Sequence, residues 1–268
     1  MSHYIKVEKE VALHVEDLGE GTPVVCIHGW PLNQKMFEYQ METILKKGYR
    51  FIGIDLRGFG KSDHPLKGYE YNRMADDIRV VIDKLQLQNI ILIGFSMGGA
   101  ITIRYMARHS GHHVKKFILW GAAAPSFVQR PNYPYGMTKE AVNELIKGIY
   151  ENRPKALHDF SELFFSRPIN EFLKQWTYGL GLESSSHGVI ESAKALRDED
   201  LRQDLAKIKV PTAIFHGVHD KICPFDFAKL MHEGIKNSKL VPFENSGHGL
   251  FIEERVNMNW ELMQFITS

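Results

Sequence analysis

The sequence predicts an α/β fold: a mostly parallel eight-stranded sheet with helices on both faces and a helical block inserted between two strands. Three observations lead there. Short aliphatic runs alternate with amphipathic helical patterns through the first half of the chain, as in a parallel sheet whose crossovers are helices. The alternation stops at Gly121 and resumes near Thr212, with no strand pattern between. The 268 residues are 44% hydrophobic, enough to fill the core of one large domain carrying an insertion.

Residues near 4–16 read as an antiparallel hairpin at the sheet edge. Residues 24–27 (Val-Val-Cys-Ile) form a buried strand, followed by a turn and a helix over 34–47. The next strand covers 49–54 and ends at Asp55. A helix over 73–85 places Met74, Ile78, Val81, Ile82 and Leu85 at helical spacing. Residues 90–93 (Ile-Ile-Leu-Ile) are a strand, a helical pattern begins at Ala100, and 117–120 is a further strand. From Pro125 to about Lys207 there are several short helical patterns rich in aromatics, among them Phe127, Phe160, Phe164, Phe165, Phe172 and Trp176. Strands return at 212–215 and 239–243, and a final helix covers 252–266. The expected division is a core of 1–124 and 208–268 with a helical cap, 125–207, over the C-terminal ends of the strands. Open parallel sheets place their ligands there. The cap aromatics either line a pocket or hold the cap to the core; Phe127, just past a strand end, is the first choice for the pocket.

Composition narrows the function classes. The 33 basic and 32 acidic residues nearly cancel, so no long-range field favours nucleic acid or an anionic membrane. No stretch approaches the ~20 apolar residues of a membrane span, and the first residues lack a basic-then-apolar signal pattern. Two cysteines, Cys26 and Cys223, lie in separate halves and read as reduced, buried small residues. A cytoplasmic soluble enzyme is the expectation, with a homo-oligomeric state left open. His112-His113 suggests a metal, but no third ligand lies at useful spacing in the sequence, and the pair is read as exposed loop residues.

The chemistry concentrates in Gly94-Phe95-Ser96-Met97-Gly98-Gly99, between the strand 90–93 and a helix. A G-x-S-x-G run in a strand–turn–helix context forces the serine backbone into a strained conformation and lifts its hydroxyl above the sheet edge. Gly94 and Gly98 leave room for the turn, and Gly99 lets the helix pack close to the strand. Ser96 is therefore the candidate nucleophile. A serine hydroxyl needs a base to take its proton and a third group to orient the base. In such a fold the order is serine, acid, histidine. Asp220 follows the strand 212–215 and His248 follows the strand 239–243, each in a loop past a strand end. Asp226, past Pro224, falls in expected helix. His216 and His219 flank the acid loop as structural or rim residues.

Acyl transfer also needs donors aimed at the developing oxyanion, each worth about 3–4 kcal/mol. The backbone N–H of Met97, after the nucleophile, is the first. The loop His28-Gly29-Trp30-Pro31 offers the second from Trp30, with the indole as a pocket wall; Pro31 has no N–H and biases Trp30 towards an extended backbone. Residues 55–63 (Asp-Leu-Arg-Gly-Phe-Gly-Lys-Ser-Asp) invite a phosphate-loop reading, but Walker-A and dinucleotide spacings are absent. They read as a structural turn with Arg57 and Asp63 in local hydrogen bonds.

On these residues the chain resembles an α/β-hydrolase, and more narrowly the branch of bacterial aryl esterases and cofactor-free (non-haem) haloperoxidases or perhydrolases. The resembling stretches are 28–31, 49–63, 94–99, 105–109 (Tyr-Met-Ala-Arg-His) and the acid and histidine loops. Similarity covers nearly the whole chain and is weakest in the cap. The resemblance implies a triad of Ser96, Asp220 and His248, donors from Trp30 and Met97, and a small hydrophobic acyl pocket faced by Phe95, Phe127, Phe160 and Ile222. It implies ester hydrolysis through an acyl-enzyme, with a small-molecule ester as partner and neither metal nor organic cofactor. Trp30-Pro31 resembles the form found in members that also make peracids from hydrogen peroxide.

The expected function is thus a serine carboxylesterase for short-chain or aryl esters, lactones included. Perhydrolases, lactonases and carbon–carbon hydrolases keep the same serine and remain alternatives, because fold does not dictate substrate. Haloalkane dehalogenases and epoxide hydrolases need an aspartate where Ser96 stands. A ligand-binding receptor that retains the triad is the alternative from a non-enzymatic class, and stoichiometric binding without turnover is its mark.

Overall fold

The computed structural model describes residues 2–268. β1 (Ser2–Glu8) and β2 (Val11–Leu18) make the edge hairpin, and β3 (Pro23–Ile27) is buried at every residue. A 3-10 turn at Gln34–Phe37, capped by the Asn33 side chain, leads into α1 (Glu38–Lys46), so the single helix expected over 34–47 is two pieces. β4 (Arg50–Ile54) and α2 (Tyr71–Lys84) follow, the helix burying Met74, Ile78, Val81 and Ile82 as its spacing requires. β5 (Ile90–Phe95) runs into α3 (Met97–Arg108) across one residue, Ser96; the helix starts three residues before the expected Ala100.

β6 (Val114–Trp120) begins three residues before the expected 117. Lys115-Lys116 concealed that start. Lys116 is buried, and its ammonium donates to the carbonyls of Phe265 (2.8 Å) and Ser268 (2.6 Å), closing the C-terminal helix. Between β6 and the next strand lie α4 (Lys139–Ser161), α5 (Glu171–Leu182) and α6 (Ser186–Asp198). α4 breaks at Asn152 (φ −156°, ψ 81°), two residues before Pro154, whose ring disfavours helical geometry upstream; Asn152 Oδ1 accepts from Lys155 N–H and restarts the helix. β7 (Thr212–Gly217), α7 (Phe225–Gly234) and β8 (Ser238–Phe243) return to the sheet. The expected last helix is divided into α8 (Leu250–Glu253) and α9 (Arg255–Thr267).

The strand order is β1-β2-β4-β3-β5-β6-β7-β8, with β2 antiparallel to both neighbours and the other pairings parallel. β3 and β5 are covered on both faces and show no alternation, whereas the edge strand β8 alternates buried and open positions. The chain winds one way from β3 to β4 and the other way through β5, so β3 and β5 meet where the order reverses. The register pairs Ile27 with Gly94, which sets the loop of Trp30 beside the turn of Ser96. Likewise Gly217 pairs with Phe243, bringing the loops of Asp220 and His248 together.

The 55–63 loop is structural and closed by local bonds such as Gly58 N–H to Asp63 O (2.9 Å), but the side chains of Arg57 and Asp63 also bond to distant segments. Arg57 Nε and Nη2 donate to Asp77 on α2 (2.6 and 2.8 Å), and Nη2 also reaches Glu8 on β1 (2.9 Å). Asp63 accepts the Ala12 N–H at 2.8 Å. These partners lie too far along the chain for a local reading to pair them. Burial pushes the Asp55 carboxyl up, but His14, His28 and the N–H groups of Gln34 and Lys61 outweigh it and hold Asp55 below the usual range. Among the described residues no helix is long and apolar enough to cross a membrane.

Candidate active site

Ser96 occupies the junction of β5 and α3 with φ 53° and ψ −119°. A non-glycine residue held there costs about 1–3 kcal/mol. The surrounding backbone enforces it: Ser96 N–H donates to Trp120 O (2.9 Å), and Ser96 O accepts from Ala100 and Ala123 (3.1 and 3.0 Å). At Gly98 a Cβ would stand 2.3 Å from His28 O and 2.4 Å from Ile27 O, so only glycine lets α3 start against the β3 loop.

Asp220 is nearly fully buried. Its Oδ1 accepts the N–H groups of Ile222 and Cys223, both at 2.8 Å, and its Oδ2 lies 2.7 Å from His248 Nδ1. A carboxylate only accepts, so Nδ1 carries the proton. The other ring nitrogen, Nε2, is buried without a hydrogen-bond partner. A Cβ on Gly217 would stand 2.0 Å from Gly247 O, which shows how closely the acid and histidine loops approach. From α8, Glu253 accepts the Gly247 N–H (2.7 Å) with one oxygen and the Ser166 N–H (2.8 Å) with the other. It thereby joins the histidine loop to the segment after α4.

Three further side chains lie here: Cys223, read from the sequence only as a buried small residue, His216, read as structural or rim, and Phe164, one of the cap aromatics. The Cys223 sulfur, with donor atoms of Asp220 and His248, falls in a group spanning 4.8 Å. Burial, reinforced by Asp220, pushes its thiol well above the ordinary range, while the neighbouring Ser96 hydroxyl acts the other way. His216 donates from Nε2 to Cys223 O at 2.7 Å and lies 3.5 Å from Asp220 Oδ2; burial holds its pKa down. Phe164 stands edge-on to the His248 ring at 5.1 Å, and Phe95 packs on the same ring at 4.7 Å. An Asp-x-x-Cys-Pro run at 220–224 was the available sign for Cys223; nothing local marks Phe164.

Trp30 and Met97 are buried, and no hydrogen bond within the described residues takes either backbone N–H. The Trp30 indole donates to Val189 O on α6 (2.9 Å) and meets Phe160 of α4 edge-on at 4.7 Å. A cavity of about 500 Å³ is lined by Met137, Leu145, Phe160, Leu163 and Ile222 together with charged side chains such as Glu144 and Lys155, and not by Ser96, Asp220 or His248. Phe160 and Ile222 are thus brought to one wall, while Phe95 and Phe127 are not. Phe95 packs between His248 and Phe251. Phe127 is buried where the chain turns back, its carbonyl accepts from Met137 N–H (3.1 Å), and of the two it is Met137 that lines this cavity. A larger polar depression, about 900 Å³ between Asn72, Arg104, Arg108 and Asp204, is lined by none of these residues.

This sheet, with a strained serine after β5 and an acid–histidine pair after β7 and β8, defines an α/β-hydrolase, and the chain belongs to that family. The α/β-hydrolase-fold family matches residues 22–255. The chain is 58% identical to the AB hydrolase superfamily protein YisY of Bacillus subtilis (strain 168), over all of both chains. It is 51% identical to an esterase, EaEST, from Exiguobacterium antarcticum, whose structure superposes with a TM-score of 0.98 over all of both chains. A bifunctional esterase/perhydrolase, DCH, from Acinetobacter calcoaceticus is 31% identical, with 99% of each chain covered.

Proposed function

We propose that this chain is a serine carboxylesterase acting on short-chain or aryl esters through an acyl-enzyme. The observations that carry the reading are a strained Ser96 in the turn after β5 and a buried His248 whose Nε2 has no partner and whose Nδ1 is held by Asp220. In the reaction Nε2 takes the Ser96 proton as Oγ attacks the ester carbonyl, then returns it to the departing alcohol. Water, activated by the same nitrogen, releases the acid. Asp220 fixes the tautomer and offsets the charge that forms on the ring. The free N–H groups of Trp30 and Met97 are assigned to the oxyanion, where preorganised donors act without reorganisation. We assign residues 125–207 as a cap whose Phe160, with Ile222 from the core, borders the acyl cavity.

Hydrolysis of p-nitrophenyl esters of rising acyl length, with Ser96→Ala in parallel, tests this. Turnover that peaks at short chains and vanishes in the variant is expected; ordinary rates in Ser96→Ala would sink the scheme. Perhydrolysis is a second reading, favoured by Trp30-Pro31 and by the relative named as an esterase/perhydrolase. Peracid formation from acetate and hydrogen peroxide should then exceed the Ser96→Ala background, and failure to do so removes this activity.

A further inference from the structure

At the end of the sheet opposite Ser96, the turn between α3 and β6 presents His112 and His113 to the C-terminal end of α2. Sequence spacing supplied no third ligand for this pair, but the fold does: His112 Nε2 lies 2.9 Å from Asp83 Oδ1. The two imidazole centroids are 3.6 Å apart, and one donor atom from each of the three residues lies within 4.8 Å of the others. The backbone beneath is fixed. Tyr105 donates its hydroxyl to His112 O, Ile90 N–H donates to His113 O, both at 2.8 Å, and His113 is held at φ +60°. Gln88 Nε2 lies 3.1 Å from His113 Nε2.

We propose that Asp83, His112 and His113 form a binding site for a divalent transition-metal ion of the Zn²⁺ or Ni²⁺ kind. Two imidazole nitrogens and one carboxylate oxygen suit these ions, whereas Mg²⁺ and Ca²⁺ want oxygen alone. The 2.9 Å between His112 Nε2 and Asp83 Oδ1 is near the roughly 3.0–3.5 Å that separates neighbouring ligands when metal bonds are about 2.1 Å. The ion replaces the proton shared by those two atoms, His113 turns in to become the third ligand, and the Gln88 amide, reversed, offers its oxygen as a fourth. Of the other groups facing the site, Arg79 holds the second Asp83 oxygen at 2.8 Å, fixing the carboxylate while opposing the cation, and Tyr105 serves the backbone. Occupancy would staple α2 to the α3–β6 turn without touching the Ser96 side of the sheet.

The test is calorimetric titration and thermal unfolding of tag-free, chelator-treated full-length protein with Zn²⁺, Ni²⁺, Mg²⁺ and Ca²⁺ at pH 7.5. One equivalent of Zn²⁺ or Ni²⁺ should bind and raise Tm by roughly 5 °C at about a hundredfold excess over Kd. Mg²⁺ and Ca²⁺ should do neither, and protonation of the imidazoles at pH 5.5 should weaken uptake at least tenfold. The double variant H112Q/H113N, in which Asn tolerates the positive φ, should lose uptake and keep its ester turnover. Absence of stoichiometric uptake by the wild type overturns the proposal. So does unchanged uptake by the double variant, which would locate the ion elsewhere, with inhibition of ester turnover pointing to the Asp220–Cys223–His248 group.

Discussion

The loops after β3 and β5 and the helical segment between β6 and β7 both pack against the site, yet they are held by different kinds of contact. The loops meet backbone to backbone: Gly98 lies against the carbonyls of Ile27 and His28, and Ser96 is bonded at both its N–H and its C=O. The helical segment meets the site mostly through side chains, with the Trp30 indole on the Val189 carbonyl, Phe160 edge-on to the same ring and Phe164 edge-on to His248, besides one backbone bond from Gly249 N–H to Phe164 O at 2.7 Å. A backbone contact admits no added atom, whereas side chains repack at modest cost. Chemistry is thus fixed on the rigid side and substrate fit is adjustable on the other.

The largest expected effect falls on the rigid side. Ser96→Ala should lower kcat by about 10⁴-fold or more with little change in Tm, measured by ester turnover and calorimetry. Next is Gly98→Ala, which forces a Cβ onto two carbonyl oxygens. We expect about 3 kcal/mol or more of destabilisation in denaturant titrations, together with loss of turnover. A stable, active Gly98→Ala protein would break the comparison at its root.

Glu253→Gln sits where the two regions join. It leaves one of the Gly247 and Ser166 N–H groups without an acceptor, so it should cost about 1–3 kcal/mol and lower kcat more than it alters KM. On the adjustable side, Phe160→Leu should move the preferred acyl length while holding kcat for the best ester within about tenfold. The smallest effect is acid sensitivity. Burial lowers the pKa of both His28 and His216 in the folded protein. Their unfolded value is about 6.5. Stability from their neutral forms is therefore complete above that pH and lost as pH falls below it. Tm should decline from pH 6.5 towards 5, and a flat profile would remove these two rings from the account.

The same contrast explains what was legible in the sequence. The succession of strands along the chain, the Ser96 turn and the loops that carry Asp220 and His248 followed from local patterns, because glycine spacing and aliphatic runs record backbone constraints directly. The start of β6 was hidden because Lys116 is buried by a bond to the far end of the chain. Arg57 was given local partners although its real ones are Asp77 and Glu8. Phe127 was named for the pocket from its place just past a strand end, and no local pattern shows the turn that follows it. Glu253, Phe164 and Cys223 gain their places from contacts across the fold, and no periodicity announces those.

The account rests on Ser96 as the nucleophile, and covalent labelling addresses that most directly. The folded enzyme would be treated with a fluorophosphonate and mapped by peptide mass spectrometry. One adduct per chain on Ser96, formed in step with loss of ester turnover and greatly slowed in His248→Ala, is the predicted result. An enzyme that loses turnover through an adduct on another residue, or keeps turnover while Ser96 is fully labelled, would contradict it.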